Sequence, residues 1–329
     1  MRRREFIALL GGAAAAWPLA ARAQQSGAMR RIAVLMPFAT TDPEGQMRLA
    51  ALLDTLQGLG WIDGKNVRIE LRWPAGDFAR AKSDAAELIS WTPDAIVTGS
   101  NPVVAELLRL TRTIPIVFCQ VSDPVAGGFV RSLARPGSNV TGFTNFESGM
   151  GSKWLDLLKE IAPHVSRVGV LYLPEAPSHV EMLRAAEAAA GPRAVSVSGL
   201  AVRNAGQLER AITTFASQGD SGLVVLPHPI YQAGRELIAE VALRHRLPVI
   251  YPFRYFAVQG GLVSYGIDQI DQWRAAAGYV DRILKGEKPG DLPVQQPTKF
   301  QLVVNLKTAK EMGLIIPESF LIRADEVIE

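Results

Sequence analysis

The strongest constraint on the fold of this 329-residue chain lies between Pro93 and Phe146. Two short apolar runs there, Ala95–Thr98 and Ile114–Cys119, each stop abruptly in small polar residues. The first ends in Thr98-Gly99-Ser100-Asn101 and the second in Gln120-Val121-Ser122-Asp123-Pro124, with a helix-spaced apolar stretch near Val103–Thr111 between them. Runs apolar at every residue describe strands buried on both faces, the condition of a parallel sheet covered by helices. Such sheets bind ligands in the crevice beyond the carboxyl ends of their strands, which makes the polar loops the candidate site. Asn101-Pro102 reads as a helix N-cap followed by proline at the first helical position, leaving backbone N–H groups aimed at the crevice.

The rest of the chain repeats the pattern. Upstream come strand Arg31–Met36, helix Gln46–Leu59, a turn at Gly60–Gly64, strand Val67–Trp73 and helix Asp77–Ser90. Downstream, a short helix near Gly127–Leu133 precedes a fifth strand, Asn139–Gly142. From Ser152 the alternation restarts with helix Lys153–Ile161. Strands Arg167–Leu173, Ala194–Ser198, Gly222–Leu226, Pro248–Tyr251 and Gly261–Tyr265 follow, separated by helices Ser178–Ala190, Ala205–Gln218 and Ala233–Arg246. The predicted fold is α/β: two Rossmann-like lobes with parallel sheets flanked by helices, hinge-linked around a central cleft. Residues 30–144 with part of 269–299 are assigned to the N-terminal lobe, and 145–268 with part of 300–329 to the C-terminal lobe. The tail (helix Gln272–Leu284, a Pro-rich linker Lys288–Pro297, strand Phe300–Asn305, helix Leu306–Met312) makes no third lobe. It is expected to cross back to the first lobe, close the sheet edges and form part of the hinge.

Residues 1–23 carry a basic start, an apolar middle and small residues at Ala21 and Ala23, the three parts of an export signal. Arg3-Arg4-Glu5-Phe6-Ile7 resembles the twin-arginine motif, and a plain secretory signal is the alternative. No cysteine follows the cleavage site near Ala23, so the mature protein is expected free in the periplasm rather than lipid-anchored. Removing Arg2, Arg3, Arg4, Arg22 and Glu5 turns 35 basic and 32 acidic residues into 31 and 31. A neutral mature chain gives no support to nucleic-acid binding. Cys119, the single cysteine, rules out an internal disulfide and a Cys-rich zinc site, and its strand position reads as an inert core thiol.

Enzyme signatures are weak. Gly219-Asp220-Ser221-Gly222 resembles a serine-protease nucleophile segment, but it precedes a parallel strand and reads as a turn. Neither G-x-G-x-x-G after the first strand nor G-x-x-x-x-G-K-[ST] is present, and His164, His179, His228 and His245 lack metal-ligand spacing. No metal and no cofactor is expected, and the chain is not expected to be an enzyme.

Thr98-Gly99, Asp123-Pro124-Val125, Ala134-Arg135-Pro136-Gly137-Ser138-Asn139-Val140-Thr141-Gly142, Leu302-Val303-Val304-Asn305-Leu306 and the tail from Ile316 to Ile328 resemble the tryptophan/tyrosine-type substrate-binding proteins of ABC importers. The resemblance spans nearly the whole mature chain. It implies a type I periplasmic binding-protein fold with about three crossings between lobes. It also implies a monomer that closes on a small-molecule ligand and delivers it to an ABC permease; the ligand is left open, an amino acid or related carboxylate being expected.

A binding cleft needs placed donors, acceptors and an apolar wall. Beside Thr98 at the strand end, Ser100, Ser122 and Thr144, with the Gly99 and Asn101 N–H groups, are candidates for holding a carboxylate. Asp123 or Asp268 is a candidate for neutralising an ammonium, although Asp123-Pro124 equally reads as a turn or cap. Phe38, Phe253 and Tyr265 sit past strand ends where they can stack on an apolar ligand or simply pack. His228, between two prolines, reads as a ligand contact or an exposed loop residue. A sensor that presents its ligand to a receptor kinase, and an exported α/β enzyme, are the competing functions.

Overall fold

In the computed structural model, which describes residues 29–329, the first alternation forms a five-stranded parallel sheet. Its strands are β1 (Arg30–Leu35), β2 (Val67–Arg72), β3 (Ala95–Gly99), β4 (Ile116–Val121) and β5 (Val140–Thr144), in the order β2-β1-β3-β4-β5. The export signal read in residues 1–23 lies outside the described residues. β3, β4 and β5 are buried at every position, as runs apolar on both faces require. Successive side chains point to opposite faces. Ile32, Val34, Val97 and Val117 therefore enter one core, while Ala33, Leu35, Ile96 and Ile116 enter another. Helices α1 (Pro43–Gly58), α2 (Phe78–Ser90) and α3 (Asn101–Leu110) supply the covering apolar faces. Asp42 and Asp77 cap the first two, accepting backbone N–H groups of Glu44 and of Ala79 and Arg80.

The second sheet contains β6 (Arg167–Tyr172), β7 (Ser196–Ala201), β8 (Ser221–Val225), β9 (Val249–Tyr251), β10 (Val263–Gly266), β11 (Gln301–Asn305) and β12 (Glu326–Ile328). Its order is β12-β11-β10-β9-β8-β6-β7, so the run β7-β6-β8-β9-β10 repeats the topology of the first sheet. Helices α4 (Met150–Ile161), α5 (Pro177–Ala190), α6 (Leu208–Ala216), α7 (Pro229–Ala233), α8 (Arg235–Arg244) and α9 (Arg254–Val258) accompany it. The expected fold class stands. One local expectation does not. Residues 127–133 form turns rather than a helix, with Gly128 at φ +70° and Phe129 bonded back to the Pro124 carbonyl. The helix expected over Ala233–Arg246 is present as Arg235–Arg244, and a separate short helix started by Pro229, Pro229–Ala233, precedes it across Gly234.

The chain passes between the sheets after β5, after β10 and before β11. Helix α10 (Gln269–Leu284) leaves the second sheet but lays Trp273, Ala276, Ala277 and Val280 on the first lobe's core, against Leu49, Leu52 and Leu56 of α1. The segment that follows runs along β5, the Thr144 N–H donating to the Gln295 carbonyl at 2.9 Å and the Gln295 N–H to the Gly142 carbonyl at 2.9 Å. Gly142 sits at φ +151°, where a Cβ would lie 2.0 Å from the Phe118 carbonyl oxygen. The last strands then extend the second sheet: β11 pairs antiparallel with β10, and β12 parallel with β11. The tail thus serves both lobes. It also carries α11 (Leu306–Met312) and α12 (Glu318–Leu321).

Candidate ligand-binding cleft

Each sheet reverses its order at one point, between β1 and β3 in the first and between β6 and β8 in the second. The loops leaving these four strands carry Pro37, Ser100, Ala176 and His228, and they meet around one small cavity of about 20 Å³. Facing switch points are where doubly wound sheets hold ligands. The cavity shares walls with an outer chamber of about 600 Å³, also lined by both lobes and mainly apolar.

On the first lobe, two non-glycine residues in the left-handed region line the cavity. Ser100 has φ +76° and caps no backbone group of α3, although it stands at the N-cap. Gln120 has φ +57°, at an irregularity in the pairing of β4 with β5 between Phe118 and Val121. Such a conformation costs about 1–3 kcal/mol and persists only where its surroundings over-determine it. Here they do. The Gln120 N–H donates to Gln272 Oε1 at 2.9 Å, and its carbonyl accepts from Asn145 Nδ2 at 3.2 Å. Gln272, on α10, also donates to the Thr144 carbonyl at 2.7 Å, tying the ends of β4 and β5 together. Ser100 Oγ and Gln120 Nε2 are left buried with no hydrogen-bond partner among the described residues.

On the second lobe, Pro229 holds His228 in extended backbone, φ −150°. His228 lines the cavity; its Nδ1 accepts the Ile230 N–H at 3.2 Å, so the neutral ring carries its proton on Nε2, which is buried and has no partner among the described residues. Neighbouring His179 accepts the Leu173 N–H on Nδ1 at 2.9 Å and donates from Nε2 to the Pro227 carbonyl at 3.2 Å. Burial holds both rings neutral, lowering His179 to about 4 and His228, further opposed by His179, to about 3. The unfolded chain protonates both below about pH 6.5, so each costs roughly 1.4 kcal/mol of stability per pH unit between pH 6.5 and its folded value. The melting temperature is therefore expected to fall as pH drops from 6.5 to 5. His179→Gln should flatten that slope by about half; a slope equal to wild type would contradict the assignment. Gln232 Oε1, from α7, is a fourth buried polar atom with no partner among the described residues. Phe253 completes the wall, packed 5.4 Å from Phe146.

The lobes are clasped across the cleft. Asp42 Oδ2 accepts from Arg235 at 2.8 Å, the two side chains being 10% and 11% exposed. Beside them Arg48, paired with Glu44 at 3.1 Å and donating to Gln269, lies 4.7 Å from the Phe38 ring and 5.6 Å from that of Tyr255 on the opposite lobe.

The structure distributes the expected site residues unevenly. Ser100, Asn101, His228 and Phe253 line the cavity. His228 is buried rather than an exposed loop residue. Asn101 is no N-cap; it is the first residue of α3, and its amide brackets Ser122, accepting the Ser122 N–H at 2.9 Å and donating to its carbonyl at 2.6 Å. Ser122 spends its hydroxyl on Asn145 Oδ1 at 2.8 Å. Thr98 donates to the Leu35 carbonyl at 3.0 Å, and Gly99 lies within β3. Thr144 keeps an unpartnered buried hydroxyl among the described residues but does not line the cavity. Asp123 and Asp268 are turn and helix caps, accepting the N–H of Ala126 and those of Ile270 and Asp271. Phe38 belongs to the first lobe's core beneath Arg48, and Tyr265 stacks on Phe300 at 5.5 Å. Cys119 is buried and bonded through Sγ to the Gln272 carbonyl, its thiol pushed up by burial. Gln120, Asn145, His179 and Gln232 were not legible as site residues. Only Gln120, an amide ending the apolar run IVFCQ, carried a local signal.

Two doubly wound lobes closed over a small polar cavity define a bilobal solute-binding protein. The chain belongs to the family described as ABC transporter substrate binding protein, which matches residues 34–328. It is similar to a tyrosine-binding protein of Clostridioides difficile, 25% identical over 262 residues that cover 80% of this chain and 75% of the relative. It is also similar to the structure of an ABC domain from Streptococcus pneumonia in complex with L-Trp, with 26% identity, a TM-score of 0.84, and coverage of 92% of this chain and 100% of that one. Against a ligand-free, open substrate-binding protein with adhesive properties from Clostridium difficile, the TM-score is 0.65 at 25% identity, covering 91% and 99%. Identity and coverage barely differ between the two structures, so the higher score for the liganded one agrees with the closed lobes seen here.

Proposed function

We propose that this chain is the extracytoplasmic solute-binding component of an ABC importer. It closes on a small carboxylate, an amino acid or a related acid, and presents the closed form to a membrane permease. The observation that carries this reading is the convergence of Ser100 Oγ, Gln120 Nε2, His228 Nε2 and Gln232 Oε1 on one cavity between the lobes, all buried and without partners among the described residues. Buried polar groups are ordinarily satisfied, and an unmade hydrogen bond costs about 1–3 kcal/mol, so four at one place describe a site whose ligand supplies the missing partners. The amino termini of α3 and α5 also face the cavity through Ser100–Pro102 and Ala176–Ser178, and their dipoles favour an anion there. Binding that depends on both walls is closure. Among the described residues no helix is long and apolar enough to cross a membrane.

The test is to express the chain with its leader, identify any small molecule released on denaturation by mass spectrometry, and titrate it back. A ligand at about 100 times its Kd should add roughly 2.7 kcal/mol of stability. Gln120→Ala and His228→Ala, one on each wall, should each weaken binding about 10- to 100-fold, the range for a hydrogen bond to a charged group. Variants that bind like wild type would overturn the site.

A further inference from the structure

The inner cavity is rich in donors and holds no charged side chain. None of its lining residues is Asp, Glu, Lys or Arg. His228 Nε2 and Gln120 Nε2 are N–H donors, Ser100 Oγ is a hydroxyl that donates or accepts, and Gln232 Oε1 is an acceptor. Asn145 Oδ1 already accepts from Ser122 Oγ and the Phe146 N–H, at 2.8 and 2.7 Å. The positive ends of α3 and α5 add to the same bias.

Carboxylates near the cleft are engaged elsewhere. Asp42 holds Arg235, Glu44 holds Arg48, and Asp123 and Asp268 cap backbone. At the rim of the outer chamber, Asp77 caps α2 and Glu175 pairs with Arg203 at 2.7 Å. An ammonium placed beside a carboxylate in the inner cavity would be desolvated against helix amino termini with no carboxylate side chain to receive it, which is unfavourable.

The outer chamber has the opposite chemistry. Phe78, Phe129, Val103, Leu173 and Ile230 face it from both lobes, and Phe78 is 45% exposed, high for a phenylalanine. Its 600 Å³ lies within the range of pockets for drug-sized ligands, whereas the inner cavity has room only for a head group.

We infer that the cleft takes an apolar-bodied monocarboxylate without an α-ammonium, its head in the inner cavity and its body in the outer chamber. This rests on the solute-binding reading above and departs from the amino acids named for the relatives. The test is calorimetric titration of the ligand-stripped mature protein with matched pairs: L-tryptophan against indole-3-propionate, and L-tyrosine against 3-(4-hydroxyphenyl)propionate. The deaminated acids are expected to bind at least tenfold tighter than the amino acids. Propionate, with the head but no aromatic body, should bind at least 100-fold more weakly than indole-3-propionate. Phe78→Ser, an exposed substitution that leaves the head site intact, should weaken indole-3-propionate at least fivefold and propionate not at all. Tighter binding of the amino acids would overturn this inference and leave the carboxylate reading standing. Failure of every acid and amino acid to bind would overturn both.

Discussion

Arg235→Ala is expected to weaken ligand binding about 30- to 100-fold while leaving the unfolding free energy of the ligand-free protein within about 0.5 kcal/mol of wild type. The reason lies in where the charge goes. With the lobes closed, Asp42 and Arg235 are about nine-tenths buried against each other, and removing the guanidinium strands the Asp42 carboxylate. Truncating one member of such a pair costs about 2–5 kcal/mol, and the residual exposure places this case near 2–3. When the lobes separate, Asp42 meets water and the cost vanishes. The penalty therefore falls on closure, to which ligand binding is coupled, and not on folding. Solution scattering of the variant with ligand should show the larger radius of gyration of an open form at concentrations that close the wild type. An equal loss of ligand-free stability would instead mark the pair as structural.

The second large effect is expected at Trp273. This residue is fully buried on α10, and α10 is the cover of the first lobe's core although the chain reaches it only after β10 of the second lobe. Trp273→Ala should cost about 3–5 kcal/mol, the range for deleting a large buried aromatic. The low end is expected, because the indole N–H has no partner among the described residues and its removal relieves a buried unsatisfied donor. The loss should be confined to the first lobe. In urea, a single wild-type transition should split, with the first-lobe signal moving to lower denaturant and the second-lobe signal unchanged. Arg274→Ala, next along the same helix but exposed, should stay within about 0.5 kcal/mol of wild type. A Trp273→Ala curve that shifts as one unit would show that the lobes unfold together.

These two residues mark the boundary of what sequence conveys. Fully apolar runs such as AIV at 95–97 and IVF at 116–118 cannot be satisfied except between two layers of helices, and their abrupt polar ends mark where the sheet's crevice opens. The α/β class, the restart after residue 150 and the position of the cleft were therefore legible, because each is written in local periodicity. The tail was legible in outline. Its crossing was expected and part of 300–329 was assigned to the second lobe, but nothing in Phe300–Asn305 gives its antiparallel pairing with β10, since an edge strand's partner is chosen by the backbone groups left open elsewhere.

Individual contacts in the cleft were less legible still. Asp123 and Asp268 carry the right charge for a ligand and are spent on backbone caps, because local hydrogen bonds compete for the same oxygens. Gln120 and Gln232, ordinary by type, become site atoms because a strained backbone and a proline-started helical turn aim them inward, without a partner among the described residues. By itself the sequence determined the architecture, because apolar periodicity acts over neighbouring residues. Only the tertiary structure decided which polar atoms are left unsatisfied, because satisfaction depends on partners brought together from both lobes.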